Sequence, residues 1–391
     1  MHLSHRITTL TGDGADGWDV FYKARQMITD GIQVTELTIG EHDIRTAAPI
    51  LQEMHKSALG GHTGYAMVPG TDDLRDMVAA RTQARTGVPT TRANVLITPG
   101  GQSALFAAHA AACDPGDVAL YIDPYYATYP GTIRGVSAIP RAVAAQAKDG
   151  FQPRGADIAA AAQGAKSLLI NTPNNPTGVV YAEKTLTSVA EACVKHDLWL
   201  ISDEVYDTQV WDGAHLSPRA LPGMAARTLV VGSMSKSHAM TGSRCGWVIG
   251  PEAAISHLIN LATHTTYGVP GFVQDAAGFA LSLGHAFEAE ISAPFLRRRA
   301  LAQRILADQN LVGLVPAQGA MYLMLDIRPT GLSGEDFAHA LLDRHQIAVM
   351  PGESFGRAAS GHVRVAMTIA DDAFGDALRT LVHFAEAQMT R

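Results

Sequence analysis

Lys236 lies in Gly232-Ser233-Met234-Ser235-Lys236-Ser237-His238-Ala239-Met240-Thr241-Gly242-Ser243-Arg244, directly after the apolar run Thr228-Leu229-Val230-Val231. A buried strand that ends in small hydroxyl residues, one lysine and a later arginine carries two chemistries. The serines and Arg244 can hold a phosphate dianion. The lysine amine can condense with an aldehyde to an imine. Pyridoxal 5′-phosphate (PLP) carries both groups on one molecule. The alternative for Lys236 is a surface lysine, and both the strand-end position and Arg244 argue against it.

Four other runs place chemically matched residues after apolar blocks, where open α/β sheets bind their ligands. Thr98-Pro99-Gly100-Gly101-Gln102-Ser103 offers two glycines at a helix start, which lets backbone N–H groups approach an anion. The other reading is a tight turn. Asp123-Pro124-Tyr125-Tyr126-Ala127-Thr128-Tyr129 offers an aromatic ring for stacking on a flat heterocycle or for the core, and by itself the run favours the core. Asn171-Thr172-Pro173-Asn174-Asn175-Pro176-Thr177-Gly178 sets amide side chains on a rigid turn. Asp203-Glu204-Val205-Tyr206 puts a carboxylate at a strand end, where burial is costly without a partner. A protonated pyridine nitrogen is such a partner, and Tyr206 can hydrogen-bond the ring oxygen. A helix cap at Asp203 is the plainer alternative. Taken together, the runs give each functional group of PLP a partner.

These residues need a scaffold. Short apolar blocks alternate with Ala-rich amphipathic stretches between about residues 50 and 290. The blocks are 95–97, 118–122, 138–143, 167–170, 199–202, 228–231 and 246–249, with helical segments such as 103–112 and 182–196 between them. That alternation predicts an α/β fold with a mostly parallel sheet covered on both faces. Beyond a charged helical stretch, 287–308, two further strand-like runs at 321–326 and 363–367 accompany helical segments 334–345 and 373–389. They predict a smaller α+β domain, against which the N-terminal piece packs. The expected division is a large domain over 46–285 and a small one made of 1–45 and 286–391.

Composition narrows the function classes. The chain has 391 residues, 47% hydrophobic and 17% charged, with net charge −7. This acidic balance, without a long basic run, argues against nucleic-acid binding. No stretch is apolar for long enough to span a bilayer. The three cysteines, Cys113, Cys193 and Cys245, form no zinc spacing or disulfide framework, as expected of reduced thiols in a cytoplasmic protein. The sixteen histidines show no HExxH pattern, so no metal site is expected.

In this order the motifs resemble the class I/II (fold type I) PLP-dependent aminotransferases, the aspartate aminotransferase superfamily. The resemblance covers nearly the whole chain. Leu37-Thr38-Ile39-Gly40-Glu41-His42-Asp43 is similar to the family's LxxGEPDF; the run Tyr65 to Arg75, NNPTG from Asn174, DEVY from Asp203, the Lys236 segment and the stretches around Pro351 and Arg364 follow. The resemblance implies a three-layer α/β/α large domain with a mixed, mostly parallel seven-stranded sheet. It implies Lys236 as Schiff-base lysine and proton shuttle, Asp203 on the pyridine nitrogen, Tyr206 and Asn175 on the ring oxygen, and Tyr126 stacked on the ring. Gly100, Gly101, Gln102, Ser233, Ser235 and Arg244 would hold the phosphate. Tyr65 would reach a phosphate across a homodimer interface. Arg364 would grip the substrate α-carboxylate, and Gly40 would lie in the segment over the substrate.

The implied reaction is ping-pong transfer of an amino group from an L-amino acid to a 2-oxo acid. A PLP-dependent carbon–sulfur β-lyase or an aminocyclopropane-carboxylate-synthase-like enzyme uses the same cofactor residues. A non-catalytic regulator would need a DNA-binding segment ahead of the domain, and the pattern already starts at Leu37. Two residues depart from the family: His42 stands for the proline of GEPD, and Ser243 for a bulky residue. No arginine stands in Leu261–Gly268, where some relatives bind a distal carboxylate. His264 is a candidate partial substitute there, and a packed or surface histidine is the plainer reading. That favours neutral, aliphatic or aromatic donors over aspartate.

Overall fold

The computed structural model describes residues 1–12 and 17–389. Seven strands form the central sheet: β1 (Val95–Thr98), β2 (Val118–Asp123), β3 (Ile139–Ala144), β4 (Ala165–Asn171), β5 (Trp199–Asp203), β6 (Thr228–Ser233) and β7 (Gly246–Ile249). Their order is β1-β7-β6-β5-β4-β2-β3. Only β7 opposes the others, pairing antiparallel with both β1 and β6. All seven coincide with the apolar blocks of the sequence.

Both faces of the sheet are covered, and strand alternation shows how. Leu96, Leu169, Ile201, Leu229, Val231 and Val248 pack on one side with the helices Gly100–Ala112 and Glu252–Thr263. Their neighbours point the opposite way. Leu168, Ile170 and Leu200 meet the helix Glu183–Lys195. Val95, Ile97, Val230 and Ile249 meet Asp72–Thr86 and Gly271–Ser282. Runs of apolar residues are what a sheet buried on both faces requires. Each such side chain contributes about 1.5–3 kcal/mol by leaving water.

Beyond the long helix Gly284–Ala307, an antiparallel sheet of four strands carries Tyr322–Asp326 beside His362–Ala366, with Arg364 opposite Met324. Phe337, Leu341, Phe374 and Leu378, from the helices Gly334–His345 and Asp371–Met389, share its core with Val20, Ala24 and Leu37 of the N-terminal segment. Thr35–Glu36 adds a parallel pair with Ile347–Ala348. That pairing carries the next residues, 37–43, to the ends of the large sheet.

Candidate active site

The carboxyl ends of β4, β5 and β6 and the start of the helix Gly100–Ala112 open on one cavity of about 330 Å³. Its lining includes Gly40, Gly101, Gln102, Tyr126, Asn175, Asp203, Tyr206, Ser233, Ser235, Lys236, Arg244 and Arg364. These are the residues singled out from the sequence, with two exceptions. Gly100 lies just behind the lining. Tyr65 lies outside it, 92% exposed, with its ring edge-on to Tyr267.

At one end the groups suit a phosphate. Ser233 ends β6 and caps the short helix Met234–Ser237, accepting the Ser235 N–H at 3.1 Å. The Ser233 hydroxyl also donates to Ser235 Oγ at 2.9 Å. Arg244 adopts a left-handed backbone, φ +50°, and donates from Nη1 to the Thr241 carbonyl at 2.9 Å. The helix over the sheet begins at Gly100, three residues before the expected start, because Gly100 turns straight into it at φ +79°. A Cβ at Gly100 would lie 2.8 Å from the Arg244 Cζ. Gly100→Ala is therefore expected to displace the guanidinium and weaken PLP binding at least about tenfold, because both the left-handed backbone and the space exclude a side chain. Equilibrium binding with a far-UV dichroism control checks this. The Gln102 side chain turns elsewhere: Nε2 donates to Thr132 Oγ1 at 2.7 Å and Oε1 accepts from Thr128 at 3.1 Å. Its backbone at the helix start is what faces an anion.

At the other end Asp203 closes β5 and is no helix cap, since no helix follows it. Its Oδ2 accepts the Tyr129 hydroxyl at 2.7 Å, and Oδ1 accepts the Val205 N–H at 3.3 Å. Burial pushes this carboxyl up to about 6, against those two bonds. A carboxylate held at such expense in the interior suits a cationic ring nitrogen.

Between these ends stands Lys236. Its Nζ donates to the Gly40 carbonyl, and burial lowers its pKa below the usual lysine value. A lowered pKa leaves more neutral, nucleophilic amine at neutral pH. The Tyr206 and Tyr322 hydroxyls pair at 3.0 Å. A Cβ at Gly40 would collide with the Tyr322 ring, so glycine there admits the tyrosine.

Arg364 is 2% exposed, its guanidinium sandwiched 4.4 Å from the Tyr322 ring and 4.3 Å from the Phe355 ring. It donates to Asn175 Oδ1 at 2.8 Å and to the Thr38 carbonyl. Its Nε is buried without a protein partner. With the Asn175 carbonyl engaged, the amide N–H₂ is the group left to meet a ring oxygen.

The sequence reading missed Tyr129, Tyr322, Thr38 and Trp18, the last also in the lining. Tyr129 stands three residues after Tyr126, in an aromatic run already noted; Tyr322 opens a strand already expected. Of the departing residues, His42 is buried edge-on to Phe295, and burial takes its pKa down to about 3. His264 is exposed after the helix Glu252–Thr263, away from the cavity. No cluster of metal-ligating side chains occurs among the described residues. Nor is any helix among them long and apolar enough to cross a membrane.

The donor set fits PLP: hydroxyls, guanidinium and helix N–H groups for a phosphate, a lysine amine for an aldehyde, a buried carboxylate for the ring nitrogen. Fold and site together define an enzyme of amino-group transfer. The model of the family Aminotransferase class I and II matches residues 32–381, and the chain belongs to that family. It is 39% identical over 382 residues to the arginine–pyruvate transaminase of Pseudomonas aeruginosa, covering 97% of each chain. It is 32% identical over 361 residues to the aspartate/prephenate aminotransferase of Thermus thermophilus, covering 91% of this chain and 92% of the other. A solved structure of a Thermus thermophilus aspartate aminotransferase single mutant superposes with a TM-score of 0.91 at 30% identity, over 98% of this chain and 100% of the other. The protein is a PLP-dependent transaminase of the aspartate aminotransferase fold.

Proposed function

We propose that the chain moves the amino group of a non-acidic L-amino acid to a 2-oxo acid by a ping-pong route, with Lys236 as the proton carrier. The carrying observation is the convergence of Lys236, Asp203 and Arg364 on one cavity. PLP, when bound, supplies an electron sink that makes the substrate Cα–H acidic. Asp203 would hold its ring nitrogen, Tyr206 and Asn175 would meet its ring oxygen, and Tyr126 would supply the aromatic face for its ring. Ser233, Ser235, Arg244 and the backbone at Gly100, Gly101 and Gln102 would hold its phosphate. Arg364 orients the α-carboxylate as a planar fork. The Lys236 amine would take the proton from the substrate Cα and carry it, a general acid–base role worth about 10²–10⁴-fold.

The donor class follows from the charges in the cavity. Its cations are Lys236, Arg244 and Arg364, each already committed in this reading. None remains in the lining for a distal carboxylate, while Glu41 contributes an acid. The Pseudomonas aeruginosa relative is named for arginine and pyruvate, so these head the donor and acceptor panels.

The proposal extends to oligomeric state, domain division and location. The protein acts as a homodimer that shares its sites, with Tyr65 entering the neighbouring cavity. Exposed Tyr65, Met67, Leu59 and Tyr267 support this, because apolar side chains in water mark an interface. The domains divide at 45/46 and 285/286, a division supported by the N-terminal residues that join the C-terminal core. Three buried, unpaired cysteines suit a cytoplasmic location.

The test is the visible spectrum of the PLP-loaded protein with single amino acids and no oxo acid. Arginine and neutral donors are expected to bleach the band, pyruvate to restore it, and aspartate to act more than about tenfold more slowly, the scale of one missing charge contact. Release of ammonia, pyruvate and thiol without an acceptor would instead select the lyase alternative, and an aminocyclopropane carboxylate product the synthase.

A further inference from the structure

Tyr129 contacts none of the groups that the reaction consumes. It begins the helix Tyr129–Gly135, is 2% exposed, and places its hydroxyl 2.7 Å from Asp203 Oδ2. The Tyr126 ring lies edge-on to it at 5.7 Å, which fixes its orientation. We propose that Tyr129 is a positioning residue, whose hydroxyl holds the Asp203 carboxylate in the orientation and charge state that the cofactor's ring nitrogen requires. This rests on the reading of Asp203 given above.

The argument is one of proton counting. A phenol has one proton to give, and an ionised carboxylate only accepts. The Tyr129–Asp203 pair is therefore satisfied when Asp203 is ionised. A protonated Asp203 would bring a second proton to the same contact, and one of the two would go unmet in a buried place. The bond thus favours the anion. Burial makes it stronger, and also keeps the Tyr129 proton in place by raising its pKa well above the usual tyrosine value.

Other groups around Asp203 do not substitute for it. Tyr126 and Tyr206 face it as neutral phenols, and the Tyr206 hydroxyl pairs with Tyr322. Glu204 acts the other way, adding negative charge that disfavours the Asp203 anion. Its own carboxylate accepts from Ser217 at 2.8 Å and lies 2.9 Å from His215 Nε2. The remaining bond to Asp203, from the Val205 N–H, is long at 3.3 Å. Tyr129 is the one short side-chain donor to this carboxylate among the described residues.

The experiment compares wild type, Tyr129→Phe, Tyr129→His, Asp203→Asn and the double variant Tyr129→Phe/Asp203→Asn. Phenylalanine keeps the packing volume and removes only the hydroxyl. Histidine keeps a donor. Two quantities are read: the PLP dissociation constant across pH 5–9, and kcat with KM for one donor. The expected result for Tyr129→Phe is a loss of roughly ten- to hundredfold in PLP affinity and in kcat at neutral pH, the scale of a hydrogen bond to a charged group. KM should change little. PLP affinity falls with acid as Asp203 takes up its proton, and without the hydroxyl that fall should begin at higher pH. Histidine should recover part of both losses.

The double variant is decisive. If Tyr129 acts through Asp203, removing its hydroxyl adds nothing once Asp203 is asparagine. Additive losses overturn the proposal, as does a Tyr129→Phe protein whose affinity–pH curve coincides with wild type. Should Asp203→Asn itself bind PLP and turn over normally, the reading of Asp203 fails first, and Tyr129 with it. If the Tyr129→Phe protein is too unstable to assay, the histidine variant decides: a PLP affinity within about tenfold of wild type supports the donor role, and a larger loss overturns it.

Discussion

Lys236→Ala is expected to lower turnover by at least about 10⁴-fold, because one amine supplies both the covalent anchor and the proton transfer. The phosphate grip does not pass through this side chain. Ser233, Ser235, Arg244 and the helix start at Gly100 all remain. PLP should therefore still bind, more weakly, and be removable by dialysis. The structure also says what the substitution leaves behind. Lys236 Nζ donates to the Gly40 carbonyl, which lies in a part-exposed segment that water can reach. The fold should survive with little change in melting temperature. Bound cofactor after gel filtration and single-turnover rates together make the check; a variant that turned over at the wild-type rate would refute the assignment of Lys236.

Arg364→Lys should cut kcat/KM for the amino-acid donor by about 10²–10⁴-fold, the sum of two charge-assisted hydrogen bonds. Most of the loss should appear in KM. Charge is conserved in this variant, so charge alone is not the property at stake. The guanidinium is planar, lies between the Tyr322 and Phe355 rings, and presents its fork in one fixed plane. An ammonium is a compact point charge and keeps neither the stacking nor the two-point contact. PLP affinity should change less than about threefold, since Arg364 sits away from the phosphate grip; a simple loss of fold would lower both. Arg364→Leu is a harsher change, because Asn175 Oδ1 and the Thr38 carbonyl would lose their buried donor. It is expected to melt earlier. Saturation kinetics beside a melting curve separate the two effects.

The sheet was readable from the sequence because buried strands need unbroken apolar blocks, and each block supplied its own boundary residues. Most of the site was readable for a related reason: Lys236, Asp203 and Asn175 all follow directly from strands that end at one edge. Tyr129 and Tyr322 were not readable as partners. Tyr129 meets Asp203 across 74 residues, and Tyr322 meets Tyr206 across 116. Such pairs depend on strand order and register, which hydrophobic pattern does not encode. The helix Gly100–Ala112 starts three residues earlier than its sequence pattern suggests, for a local reason. Two glycines suggest a turn, yet Gly100 enters the helix at once because its left-handed backbone replaces a longer loop. Tyr65 shows another boundary: its surroundings in one chain are mostly solvent.

Residues 38–41 carry a consequence for affinity. The carbonyls of Thr38 and Gly40 accept from Arg364 and Lys236, and Glu41 accepts from Thr241 at 3.1 Å. On the proposed reading Arg364 meets the substrate and Lys236 the cofactor, and the chain's own backbone already engages both side chains. A carboxylate bound there would then have to win Arg364 from a tethered rival held at high local concentration. This rival acts as a built-in competitor, and a molecule that offers only a weak acceptor cannot displace it. Selectivity for a true α-carboxylate is then set as much by what must be displaced as by what is gained, with weaker binding as its cost.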